Sequence, residues 1–266
     1  MVFPNRERLS IVIATILLAY ALTQLISAPS RIIPISIGGI YLPINLDFSS
    51  IVSLAVALMT ASGTDWILRD HPGLQTKSTL PHLLLPSTTS WVLYISLNNL
   101  GDNPLRWLIF IAGGLFLIVV ILAEWTALTE DSLQKPLAEI LLTALAYALF
   151  LALLISMITA KQRLFVSLAT IGLAAIALSI RVIQLQLKSQ IAISLAATSM
   201  LVTVQLAAAL HYLPLQPLSV SLILLGALYA TTNFSVNLEQ EHTLNRALVE
   251  AGAPFLLLLI IALWLN

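Results

Sequence analysis

The stretch ASGTDWILRDHPG, residues 61–73, closes a long apolar run with an Asp, an Arg, a second Asp and a His. Asp65 and Arg69 stand at i and i+4, so on a helix they share a face and can pair. His71, and His82 further along, add imidazoles. A carboxylate beside a histidine can ligate a metal, move a proton or hold a lipid headgroup. No fixed ligand spacing joins these residues, and each also has an anchoring role. Trp66 suits the headgroup belt. Asp70-His71-Pro72-Gly73 ends a helix, because Pro disfavours helical backbone in the residue before it and Gly follows. The favoured reading is a helix terminus at a membrane interface. The functional alternative is that Asp65, His71 and His82 converge on a headgroup or a metal.

A second group lies in NLEQEHTLNRALVEAGAP, residues 237–254. Glu239, His242, Arg246 and Glu250 recur at three and four and predict one polar helical stripe. EQEH lacks the second His at i+4 that a His-Glu-x-x-His zinc helix requires. The stripe reads as an interfacial turn with internal ion pairs, or as a docking surface for a partner. The third candidate is Glu124 in VVILAEWTAL. It either snorkels to the interface beside Trp125 or pairs inward with Arg69 or Arg181, the cations nearest in depth.

These side chains must be positioned by a chain that is 59% hydrophobic and 9% charged over 266 residues. A soluble domain carries about 25% charged residues, so most of this surface faces lipid. The apolar stretches are helix-length and do not alternate, which excludes an outer-membrane barrel. Twelve basic and twelve acidic residues balance to zero, with no basic tract to suggest nucleic acid. The absence of cysteine excludes disulfides, thiol catalysis and cysteine-ligated metals.

A span needs about 20 apolar residues. Apolar runs fall near 10–28, 50–68, 82–100, 105–127, 137–159, 163–183, 190–211, 217–237 and 248–265. The first is expected to be a retained span, not a removed signal peptide. The third is the most polar, with Pro86, five Ser and Thr residues and two Asn, and if re-entrant it lowers the count from nine to eight. The fold expected is an all-α polytopic transmembrane bundle forming a single domain over residues 1–266. Residues 29–48 are expected to form an extended extracytoplasmic hairpin around Gly38-Gly39.

Basic residues set orientation. With the N-terminus inside, eight Lys and Arg fall on the cytoplasmic side and four outside, and "KQR" at 161–163 opposes the bias. Parity then brings Asp65, Arg69, His71, His82, Glu124, Arg181, Glu239, His242 and Arg246 to one membrane face. The mid-membrane polar groups are Ser, Thr and Gln205. No ionisable residue at depth is seen, which argues against ion-coupled transport. Small residues such as Ala144, Ala148 and Ala152 predict close helix packing inside the bundle.

At ASGTDWILRDHP followed by TLPHLLLP, the first half of the chain resembles a bacterial multi-span membrane family known only as a domain of unknown function. That resemblance implies a membrane location and no activity. No Gly-x-Ser-x-Gly, Asp-Asp-x-x-Asp or Walker loop occurs.

Three functions follow in order. The first is a non-enzymatic subunit or scaffold in the cytoplasmic (inner) membrane, N-terminus inside, with membrane lipids and another membrane protein as partners. The second is a carrier or flippase for an uncharged or lipid-like substrate. The third is a lipid-modifying enzyme working at the cytoplasmic face. No cofactor, metal or nucleic acid is expected.

Overall fold

The computed structural model describes residues 4–23, 31–37, 40–46, 48–74, 78–100, 104–129, 134–187, 192–240 and 243–266. Nine helices lie among them: α1 (Arg6–Thr23), α2 (Phe48–Leu68), α3 (Leu80–Asn99), α4 (Leu105–Ala127), α5 (Lys135–Thr159), α6 (Leu164–Leu187), α7 (Ala192–Leu210), α8 (Pro217–Glu239) and α9 (Leu244–Trp264). Seven of these, α2 and α4 to α9, are long and apolar enough to cross a membrane. The protein is a multi-pass, all-helical membrane bundle.

Between α1 and α2 the chain forms an antiparallel pair, β1 (Arg31–Ile37) and β2 (Ile40–Leu46). The register sets Arg31 opposite Leu46, Pro34 opposite Pro43 and Ile37 opposite Ile40. Two residues, 38 and 39, separate the strands, the length of a two-residue hairpin connection.

Successive helices pack side by side, and α3 is the hub, touching α2, α4, α5 and α6. This explains why the most polar stretch of the set is helical throughout. At 20 residues it is about 30 Å long, the thickness of the hydrocarbon, although its composition leaves it outside the seven helices apolar enough to cross on their own. Its polar side chains meet protein instead of lipid: Thr88, Thr89 and Ser90 are all buried. Pro86 removes the donor that would reach the His82 carbonyl. Around that break, hydroxyls satisfy nearby backbone: Thr88 donates to the Leu84 carbonyl at 2.8 Å and Thr89 to that of Leu85 at 2.7 Å. The buried Tyr20 hydroxyl donates to the Ser90 carbonyl at 2.5 Å, tying α1 to α3.

Two apolar cores flank α3. One joins α1, α2, α3 and α4 through Ile16, Tyr20, Val56, Ile67, Leu117 and Ile121. The other joins α3 to α8 through Leu85, Leu142, Phe150, Leu154, Ala175 and Leu224. α9 packs chiefly on α8 and buries only Ala247, Ala251 and Ala262 along its length.

Several sequence expectations change. α6 runs on to Leu187, so Arg181 lies six residues inside its end instead of closing it. Glu239 ends α8 while Arg246 belongs to α9, with Gln240 and Thr243 at the two helix caps, so one continuous polar stripe does not form. Gln205, placed at mid-membrane depth, is exposed on the outer surface of α7. Ala144, Ala148 and Ala152 are exposed as well, so this stripe faces outward.

Candidate functional site

The ionisable groups near the start of α3 and the ends of α4 and α6 meet inside the bundle. Glu124 is fully buried and Arg181 is 3% exposed. The Arg181 Nε donates to Glu124 Oε1 at 2.8 Å, and its Nη2 donates to Oε2, a two-pronged pair. His82 Nδ1 approaches Glu124 Oε2 at 2.8 Å and Arg181 Nη2 at 3.1 Å. With Glu124 ionised, the consistent assignment puts a proton on Nδ1, donated to the carboxylate. The approach of Nδ1 to Arg181 is then a contact between two donors, not a hydrogen bond.

The sequence dictates this meeting through helix direction. His82 is the third residue of α3, while Glu124 is near the C-terminus of α4 and Arg181 in the last third of α6. Antiparallel neighbours bring these ends together. Of the two cations expected for Glu124, Arg181 is the partner. Arg69 turns elsewhere, so helices α3, α4 and α6 are joined, not α2.

Asp65 pairs with Arg69 at 2.7 Å and accepts from the Thr79 hydroxyl at 2.6 Å, which fastens the end of α2 to the start of α3. Arg69 is largely exposed. His71 is buried in the turn after α2. The Gly73 amide donates to its Nδ1 at 2.9 Å, so the proton sits on Nε2, which donates to Thr129 Oγ1 at 3.2 Å. Its ring stands edge-on to Trp125, 4.5 Å between centroids. Burial, and then the positive charge His82 can carry, push the His71 pKa below its ordinary value. Thus Asp65, His71 and His82 each serve a different contact and do not converge on one ligand. Among the described residues no three His, Asp or Glu side chains are grouped to hold a metal.

The remaining predicted residues stand apart from the buried cluster. Glu239 is exposed at the end of α8, and His242 lies outside the described residues. Arg246 pairs with Glu250 at 2.7 Å, and Asn237 donates to the same carboxylate at 3.1 Å, bracing α8 against α9.

Sequence reasoning missed Arg8. It pairs with Asp70 at 2.6 Å, donates to the Trp66 carbonyl and lies 4.8 Å from the Trp66 ring centre. The available signal was that α1 begins where α2 ends. Gly73 was read as a helix stop, but its position is also sterically tight. A Cβ there would lie 2.5 Å from the Leu128 carbonyl oxygen, so only glycine lets the turn lie against the end of α4.

Residues 28–265 match a family model. The chain belongs to the family described as protein of unknown function (DUF5656). The match takes in the hairpin and α2 to α9, well beyond the first half that carries the sequence resemblance. No curated protein and no solved structure matches the chain.

The DUF5656 region holds a second feature at the opposite end of the bundle. Between α5, α6, α7 and α8 lies a cleft of about 570 Å³, with Lys161, Arg163 and His211 among its lining residues. A smaller apolar groove of about 210 Å³ runs between α3, α4 and α5.

Proposed function

We propose that the protein is a non-enzymatic subunit or scaffold that docks another membrane protein along α5. The membrane is a bacterial cytoplasmic membrane, and the N-terminus lies inside. The outward face of α5 carries this reading. Ala144, Ala148 and Ala152 recur every four residues, and all three are exposed. Ala148 and Ala152 line the smaller groove together with Ala112 and Gly113 of α4. Small residues on a lipid-facing stripe let a second helix come close. At about 210 Å³ the groove falls below the ~300–1,000 Å³ of small-molecule sites. It suits a ridge of side chains from a partner helix better than a carried molecule.

The ionic cluster supports the same reading. Glu124 has both oxygens engaged by Arg181 and His82 and no exposed surface, so its chemistry is spent on joining helices. A proton-transferring carboxylate must reach its substrate within hydrogen-bond distance. The eight-to-four distribution of Lys and Arg supports the orientation.

The test is isolation of the tagged chain in native lipid discs after cross-linking. A membrane protein at fixed stoichiometry is expected, and Ala148→Trp should release it without lowering thermal stability. Recovery as a monomer accompanied only by lipid refutes the docking reading. Movement of a labelled lipid across reconstituted vesicles would favour the carrier alternative.

A further inference from the structure

We propose that the cleft between α5, α6, α7 and α8 is a binding site for an anionic phospholipid, with the phosphate at its mouth and part of one acyl chain inside. The cleft has a volume of about 570 Å³, within the range of sites that hold small ligands. Its lining is divided by chemistry. Lys161, Arg163 and His211 stand at the helix ends, all exposed, and no carboxylate is among the described residues that line the cleft. Ile171, Leu168, Val220 and Leu224 form the deeper wall.

The depth fits a chain entering from the headgroup layer. Ile171 lies seven residues past Leu164, where α6 begins, and Leu224 seven past Pro217, where α8 begins. At 1.5 Å per residue that is about 10 Å, roughly a third of the hydrocarbon thickness. A phosphate at the rim would leave the upper part of an acyl chain against these side chains. A free phosphate would leave the apolar wall unused, and an uncharged amphiphile would leave Lys161 and Arg163 unmatched.

Two further observations agree. Lys161 has φ 48°, the left-handed region that favours Gly or Asn. Lys161 follows the Ala160 cap of α5, so the left-handed turn that ends the helix sets this cation beside the cleft. The same Lys161 and Arg163 oppose the charge bias of the whole chain. Basic pockets between transmembrane helices bind anionic headgroups, each cation near the surface adding about a fivefold gain in affinity, the equivalent of ~1 kcal/mol.

The experiment uses the full chain in detergent. Phosphatidylglycerol, phosphatidylcholine and inorganic phosphate are added separately, and binding is read by native mass spectrometry and thermal shift. Phosphatidylglycerol should bind and raise the unfolding midpoint, at least tenfold more tightly than phosphatidylcholine. The double variant Lys161→Gln, Arg163→Gln should lose at least tenfold in phosphatidylglycerol affinity with its lipid-free unfolding midpoint unchanged. Ser167→Phe, which fills the cleft while keeping the cations, should lose the same binding. Equal binding of the two lipids overturns the proposal. So does unchanged phosphatidylglycerol binding in either variant. Inorganic phosphate as effective as the lipid overturns the apolar half of the site and with it the assignment.

Discussion

Glu124 of α4 and Arg181 of α6 are joined by two hydrogen bonds inside the bundle, where neither has appreciable contact with solvent. Burying two charges is costly, and their attraction offsets the cost only when geometry and further hydrogen bonds are good. Both conditions are met, and His82 adds a third member from α3. The pair therefore specifies which helices meet and at what height, while apolar packing around α3 supplies most of the contact.

Removing one partner should cost far more than removing both. Glu124→Gln or Arg181→Leu leaves a buried charge without its counter-ion, a loss of about 3–5 kcal/mol. The double change Glu124→Leu, Arg181→Leu leaves none and should recover much of that. Thermal unfolding in detergent reads the series. A double variant as unstable as the worse single one would mean that the pair does more than neutralise itself.

Gly73→Ala should destabilise the protein by about 1–3 kcal/mol, the cost of forcing an extra methyl into a filled space. The added Cβ meets a carbonyl oxygen at 2.5 Å. That carbonyl belongs to the backbone at the end of α4 and cannot swing away as a side chain would. Gln162→Ala, exposed in the turn after α5, is the control and should stay within about 0.5 kcal/mol. Equal midpoints for the two variants would show that the turn can shift away from α4.

Much of the fold was legible because a bilayer imposes one strong rule, a run of about 20 apolar residues per crossing. Helix positions and the common end of Glu124 and Arg181 followed from run length and parity. What parity lacks is rotation about each helix axis. It could not say that Ala144, Ala148 and Ala152 face outward or that Gln205 faces away from the core, whereas the Asp65–Arg69 pair followed from its i and i+4 spacing. Nor could it see the cleft, which arises from the splay of four helices distant in sequence. The polar character of α3 pointed to its burial at the hub, but composition alone reads the same signal as a failed span.

His71 gives a pH dependence with a definite sign. Its Nδ1 accepts the Gly73 amide, so the folded state prefers the neutral ring, and its pKa is lowered. The unfolded chain, with a pKa of about 6.5, takes up the proton first as pH falls. Stability from this contact is therefore complete above about pH 6.5 and declines as pH falls below it, towards the lower folded value. His71→Asn should flatten that slope of unfolding midpoint against pH between 7 and 5. A slope unchanged by the substitution would assign the acid sensitivity to another group.

Arg8 and Asp70 lie 2.6 Å apart, so the start of α1 and the end of α2 occupy the same end of the bundle. Continuing the alternation puts residue 78 at that end too. Residues 162 and 212, beside the cleft, then belong to the other. The chain contains no cysteine, so single substitutions report accessibility without background. Asn5→Cys and Ser78→Cys should react with an impermeant thiol reagent from one side only, and Gln162→Cys and Tyr212→Cys from the opposite side. The positive-charge bias predicts the first side to be cytoplasmic. Labelling of Ser78→Cys and Gln162→Cys from the same side would mean that the three helices between them do not all cross. α3 would be the first suspect, because its hydroxyl-rich sequence depends on the surrounding helices for its place in the bilayer.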